Sequence, residues 1–183
     1  MNKLLTIVLV IIKMAVMVYG IPNTKGGNSM KIAVAQIDIA FCEREKNFSK
    51  AEKMIVQAAQ QGADTVVLPE MWSTGFFPKD DIGEYADENG HLTKEFLSKL
   101  AEENKINIVA GSVLTRRGEE YFNSAYVFDR TGSEIAHYDK IHLFSYMGED
   151  DYFTPGDSLC TFELEGIRCG LIICYDLRFV EQV

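Results

Sequence analysis

The fold is decided by residues 31–70, KIAVAQIDIAFCEREKNFSKAEKMIVQAAQQGADTVVLPE, in which two short apolar runs flank a helical pattern. Residues 31–38 form a run of strand length. Residues 44–61 place apolar side chains at helical spacing until Gly62, and residues 64–69 predict a second buried strand. A strand, a helix and another strand in this order are typical of an α/β sheet.

The chain after residue 70 changes from this alternation to hairpins. We expect a loop over residues 71–90, a helix capped by Thr93 that runs to about Asn104, and a third strand over residues 106–113. Two hairpins are predicted by turn residues between apolar runs, at residues 121–129 with 134–138 and at residues 160–164 with 168–174. This order predicts a mixed sheet with helices on one face and the other face free to pack.

Composition restricts the possible partners. The chain has 183 residues, of which 47% are hydrophobic and 25% charged, and a formal net charge of -9 with no basic cluster. Nucleic acids and anionic membranes select for Lys/Arg patches, so neither is an expected partner. The four cysteines form no CxxC pair and lack the clustering of a zinc site, which favours reduced thiols.

The first 29 residues do not read as part of the domain. Residues 1–19 are apolar but interrupted by Lys13, which weakens both a signal peptide and a spanning helix. Residues 25–30 can be encoded by a purine-rich ribosome-binding sequence followed by a start codon at Met30. We therefore expect residues 1–29 to be an upstream mistranslation or a signal-like segment, and residues 30–183 to be the domain. The first option predicts a cytoplasmic protein, and the second an exported one.

Three reactive side chains follow predicted strands. Glu70 comes after residues 64–69, Lys140 after a strand that ends at Tyr138, and Cys174 after an apolar run. Singly, Glu and Lys are usually surface groups and Cys a small core residue. All three segments have the form of a buried parallel strand that stops at a reactive residue, and ligands bind outside the carboxyl ends of such strands.

Together these three groups suit acyl transfer. A thiol attacks only as thiolate and needs a neighbouring base, and Glu70 can take its proton and return it to a leaving nitrogen. The fixed charge of Lys140 can stabilise the oxyanion of a tetrahedral intermediate, and the backbone N–H of Tyr175 can share that role.

Three blocks of sequence resemble the signatures of the nitrilase superfamily of carbon–nitrogen hydrolases. They are LPEM at residues 68–71, YDKIHLF at residues 138–144 and ICYDLRF at residues 173–179. The resemblance implies a four-layer α-β-β-α sandwich, incomplete at the C-terminus because the chain ends at Val183, and usually assembled into homo-oligomers. It also implies a hydrolase with Glu70, Lys140 and Cys174 as catalytic residues and with no metal or organic cofactor.

The same resemblance suggests further site residues and a substrate. Glu149 stands where many members carry a second glutamate that orients substrate or lysine, although it also reads as a solvated acid. The stretches around Glu70 and Lys140 resemble the omega-amidase branch, whose members hydrolyse the terminal amide of 2-oxo-dicarboxylic acid monoamides. Candidate pocket residues are Trp72, Phe76 and Phe144, which alternatively belong to the core. Arg178 is a candidate contact for a substrate carboxylate and alternatively pairs with Asp176 or another buried acid. His137 and His142 read as structural.

The C-terminal end departs from the family pattern. Val180-Glu181 replaces the Pro-Glu pair that usually follows the third block. Alternative interpretations are a truncated, non-catalytic fragment that associates with another chain, or a nitrilase or carbamoyl hydrolase of the same superfamily.

Overall fold

The computed structural model describes residues 16–21, 30–76, 78 and 80–182. The strands are β1 (Val16–Ile21), β2 (Ile32–Val34), β3 (Thr65–Val67), β4 (Asp87–Glu88), β5 (Asn107–Val109), β6 (Val113–Arg117), β7 (Glu120–Phe128), β8 (Glu134–Asp139), β9 (Cys160–Leu164) and β10 (Ile167–Ile173). The α-helices are α1 (Arg44–Gln60), α2 (Ile82–Tyr85) and α3 (His91–Asn104). Short 3-10 helices are Ser145–Met147, Glu149–Asp151, Cys174–Arg178 and Val180–Gln182. No helix within these ranges is long and apolar enough to cross a membrane.

The larger sheet has the strand order β2-β3-β5-β7-β6-β4, with β8 paired to β7. β2, β3 and β5 are parallel, whereas β5, β6 and β8 all run antiparallel to β7. The single strand predicted over residues 106–113 is wrong: β5 ends at Val109 and β6 begins at Val113. Gly111 lies between them with a φ of 61°, a left-handed conformation that ends an extended run.

Helices α1 and α3 cover one face of this sheet. Their buried side chains, among them Ile55 and Leu97, form a core with the strand residues Val66 and Ile108. The prediction that Thr93 caps α3 is wrong, because the helix begins two residues earlier, after Gly90.

The cap of α3 comes from another element. The Asp87 carboxylate accepts the backbone N–H groups of Leu92 and Thr93 at 3.0 and 2.8 Å. These first-turn amides have no acceptor inside the helix, so a carboxylate from β4 satisfies them. The loop predicted over residues 71–90 is therefore partly structured, since it contains α2 and β4.

The other face of the larger sheet packs against a smaller sheet of order β1-β10-β9. Val109, Val127 and Tyr138 from the larger sheet meet Phe162 and Leu171 from the smaller one in a second core. Both predicted hairpins, β7-β8 and β9-β10, are present.

The segment before Met30 is described only at β1, whose backbone pairs antiparallel with β10. The rest of our interpretation of residues 1–29 lies outside the described residues.

Candidate active site

Glu70 lies three residues beyond the end of β3, in a turn held by the residues that follow β5. The N–H of Ser112 donates to the Pro69 carbonyl at 3.1 Å, and its hydroxyl accepts the N–H of Met71 at 3.1 Å. A Cβ on Gly111 would lie 2.0 Å from the Pro69 oxygen, so only glycine permits this approach. The backbone on both sides of Glu70 is thus fixed.

Lys140 follows β8 directly and is fixed in the same way. Its N–H donates to the Asn123 carbonyl at 3.0 Å, and its own carbonyl accepts the Gly156 N–H at 2.9 Å. Because β7 carries Asn123, the β7-β8 hairpin delivers the lysine side chain to the carboxylate of Glu70.

The side chains form a buried cluster of two carboxylates, one ammonium and one amide. The Lys140 ammonium donates to Glu70 Oε1 at 3.0 Å and to both oxygens of Glu149, at 3.1 and 2.8 Å. Asn123 Nδ2 donates to Oε1 of Glu70 at 2.9 Å and to Oε1 of Glu149 at 3.0 Å. All four residues are at most 3% exposed. The solvated alternative for Glu149 is therefore wrong.

The carboxylates keep Lys140 charged. Burial alone lowers the pKa of an ammonium group, but the charges of Glu70 and Glu149 outweigh burial, so that the pKa of Lys140 lies above its ordinary value. Lys140 therefore places a permanent positive charge inside the protein, between the two carboxylates.

Cys174 stands at the junction of β10 and a 3-10 helix. Its φ of 48° is left-handed, which is uncommon for a residue with a side chain and marks a sharp turn. The residue is exposed, whereas the surrounding protein removes part of the water around its sulfur. Burial, and then the charge of Glu70, raise the pKa of Cys174 to about 12, with Lys140 opposing them. The thiol is therefore neutral at pH 7.

A buried aspartate anchors the turn that carries Cys174. Asp176 accepts the hydroxyl of Tyr138 at 2.7 Å and the N–H groups of Ile173 and His142 at 3.0 and 2.8 Å. A ring nitrogen of His142 lies 3.1 Å from the same carboxylate. The prediction that Arg178 pairs with Asp176 or another buried acid is wrong: Arg178 is exposed, and no ion pair joins it to another described residue.

The candidate pocket residues fall into different places. Trp72 is fully buried beneath the helices and donates to the Ala110 carbonyl at 2.7 Å, so the pocket interpretation is wrong for it. Phe76 is half-buried beside a small cluster that includes Met71. The half-buried ring of Phe144 lies 4.9 Å from that of Tyr175, next to the cysteine.

Two features of the site were missed from the sequence. Asn123 and the Asp176 anchor have no motif of their own, since an isolated Asn or Asp most often lies at the surface. The prediction of three parallel strands was also wrong, because only β3 is parallel to its neighbours, while β8 and β10 lie in antiparallel ladders. The side chains converge because turns at the ends of these strands bring them together.

Comparison with known proteins places this geometry in a family. Residues 31–183 match the model of the carbon-nitrogen hydrolase family. The 2-oxoglutaramate amidase of Bacillus subtilis is 38% identical over 152 residues, which cover 83% of this chain and 58% of that protein. A nitrilase of Pyrococcus abyssi is 39% identical over 158 residues (84% and 58%), and a human omega-amidase 34% over 160 residues (84% and 57%).

Solved structures agree on the fold. An amidase from Nesterenkonia sp. superposes with a TM-score of 0.76 at 25% identity, over 84% of this chain and 58% of that one. A CN-hydrolase superfamily protein from Xanthomonas campestris has a TM-score of 0.73 at 27% identity, over 84% and 56%. The chain thus spans somewhat over half the length of these relatives, and the predicted nitrilase-like α/β fold is confirmed. This chain belongs to the carbon-nitrogen hydrolase family.

Proposed function

We propose that this chain hydrolyses the carbon–nitrogen bond of a small carboxylic amide, with Glu70, Lys140 and Cys174 as catalytic residues. The observation that carries the proposal is the buried carboxylate–ammonium cluster whose charges act on an exposed cysteine. The amidases among the relatives support an amide as the substrate class.

The first half of the reaction forms a thioester. Glu70 takes the proton of the Cys174 thiol while the sulfur attacks the amide carbonyl carbon. The Lys140 charge and the Tyr175 N–H stabilise the oxyanion of the tetrahedral intermediate. Glu70 then gives its proton to the departing nitrogen, so ammonia leaves and a thioester with Cys174 remains.

The second half of the reaction regenerates the free cysteine. Glu70 takes a proton from water, whose oxygen attacks the thioester carbonyl, and the resulting intermediate expels the sulfur. The proton returns to the thiol, and a carboxylic acid is released. Glu149 holds Lys140 in place, and no metal or organic cofactor takes part in any step.

For the substrate we propose 2-oxo-dicarboxylic acid monoamides such as 2-oxoglutaramate. Two of the relatives, a 2-oxoglutaramate amidase and an omega-amidase, support this choice. Phe76 and Phe144 are proposed to line the acyl pocket, and exposed Arg178 is a candidate contact for a substrate carboxylate.

The test is ammonia release from 2-oxoglutaramate by the wild type and by Cys174→Ala. We expect the variant to lose all measurable release. Cys42→Ala is the matched control, because Cys42 is also a free cysteine with a left-handed φ, of 57°, and should keep full activity. Release by Cys174→Ala would refute the mechanism. Release only from nitriles would favour the nitrilase alternative.

The compartment and the assembly stay predictions. All four cysteines are free thiols, which supports a reducing compartment such as the cytoplasm. Light scattering of the purified chain would measure whether it forms the expected homo-oligomer.

A further inference from the structure

Asn123 joins the two carboxylates of the cluster. It lies on β7, is 1% exposed, and its Nδ2 donates to Oε1 of both Glu70 and Glu149. Its carbonyl also accepts the Lys140 N–H. One residue thus contacts every charged member of the cluster.

The two oxygens of Glu70 differ sharply in their contacts. Oε1 accepts from Lys140 and from Asn123, at 3.0 and 2.9 Å. Oε2 is buried and has no hydrogen-bond partner within the part of the chain that the structure describes. An oxygen that already accepts two donors is a poor base, so Oε2 is the oxygen left to receive a proton.

The amide of Asn123 is oriented by the carboxylates. Two carboxylates face one ammonium, so the cluster needs a neutral donor to offset the excess negative charge. Asn123 supplies that donor even though its Oδ1 has no partner among the described residues. A buried unpaired acceptor is costly, which argues that the contacts to the carboxylates outweigh full satisfaction of the amide.

We propose that Asn123 is a positioning residue: together with Lys140 it holds Oε1 of Glu70, so that Oε2 exchanges the proton with the Cys174 thiol. The assignment deepens the proposed function and rests on it for its catalytic meaning. The ionisable groups that act on this exchange from the surrounding elements are Lys140, Glu149 and the thiol itself.

The test follows alkylation of Cys174 by iodoacetamide against pH, measured by mass spectrometry of the peptide that contains it. On the proposed mechanism the thiol proton passes to the Glu70 carboxylate, so we expect the alkylation rate to fall along an acid limb that Glu70→Gln should abolish. Loss of the Asn123 donor disfavours the ionised carboxylate. We expect Asn123→Ala to move the midpoint of this limb up by about one pH unit, the typical effect of one hydrogen bond to a charged group.

Asn107→Ala is the matched control. Asn107 is a buried asparagine on the neighbouring strand β5, with its amide bonded to Asp64 and Glu165 outside the site. The Asn107→Ala substitution should lower the free energy of unfolding and leave the midpoint of the acid limb unchanged. Asn123→Asp keeps the size of the side chain but removes the donor, and should move the midpoint at least as far. Wild-type midpoints in Asn123→Ala or in Asn123→Asp would overturn the assignment.

The alkylation readout needs no amide substrate. A shifted midpoint in a protein that releases no ammonia from 2-oxoglutaramate would refute the proposed function and leave the role of Asn123 standing. An unshifted midpoint with normal ammonia release would refute the role of Asn123 and leave the proposed function standing.

Discussion

At the scale of single residues, the site depends on charges that act in opposite directions on one sulfur. Glu70 raises the pKa of Cys174 and Lys140 lowers it, with the net value at about 12. The sequence predicted these three residues from their reactivity and their motifs. It could not predict Asn123, because its role depends on the pairing of β7 with β8 rather than on a local pattern.

Glu70→Gln should therefore separate reactivity towards alkylation from turnover. Without the negative charge the pKa of Cys174 falls, so thiolate forms at lower alkaline pH, and we expect faster iodoacetamide alkylation at pH 9. Ammonia release should fall by about 10²–10⁴-fold, because the base that serves both half-reactions is gone. Glu119→Gln, at a side chain that is 97% exposed, is the control and should change neither rate. Slower alkylation of Glu70→Gln at pH 9 would contradict this electrostatic account.

The raised pKa of Lys140 also determines how the free energy of unfolding depends on pH. Its pKa in the folded state lies above the ordinary value of 10.5, so its contribution to stability is complete below pH 10.5 and is lost as the pH rises through the folded value. Lys140→Met should remove this alkaline dependence and leave two carboxylates buried without their counter-charge, at a cost of about 3–5 kcal/mol at pH 7. Urea unfolding at pH 7 and at a pH above 10.5 measures both effects, and a variant as stable as the wild type at pH 7 would contradict them.

At the scale of secondary-structure elements, the turns position the residues of the site, and the strands hold those turns in place. Helices α1 and α3 and both hairpins followed from periodicity and turn residues. The split between β5 and β6, the cap from Asp87 and the antiparallel setting of Lys140 and Cys174 did not, because each depends on contacts between residues distant in sequence.

Gly111 tests the turn that holds Glu70. Gly111→Ala places a Cβ 2.0 Å from the Pro69 oxygen in a residue with a φ of 61°, so both the clash and the backbone strain oppose it. Gly118→Ala is a close control, since its φ is 62° and a Cβ there meets nothing within 4 Å. We expect Gly118→Ala to cost about 1 kcal/mol from strain alone, and Gly111→Ala to cost at least about 2 kcal/mol more. Urea unfolding of both variants is the measurement, and equal losses would show that the close approach is unimportant.

At the scale of the whole molecule, two sheets share one apolar core, and the residues of the site span the interface between these sheets. Glu70 and Lys140 follow strands of the larger sheet, and Cys174 follows a strand of the smaller one. The sequence predicted a sheet with one face free to pack, but the register between the sheets depends on packing that no local pattern encodes.

Asp176 is a polar link across this interface. Asp176→Ala removes the acceptor of Tyr138 on β8 and of Ile173 on β10, and leaves buried donors unpaired, so we expect a loss of about 3 kcal/mol or more. Asp129→Ala is the control, because Asp129 accepts three hydrogen bonds within a single turn. Its loss should be nearer 1 kcal/mol. Hydrogen exchange should then speed up in β9 and β10 for Asp176→Ala alone. Equal hydrogen-exchange protection of β9 and β10 in both variants would show that Asp176 does not link the two sheets.

The excess negative charge of the buried cluster also affects how the product leaves the site. On the proposed mechanism an uncharged amide group is converted into a carboxylate, next to Glu70 and Glu149 with one ammonium between them. Repulsion between like charges is strong where water is scarce. The product is therefore expelled by the same carboxylates that prepare the thiol, and we expect the released acid to inhibit the next turnover only weakly.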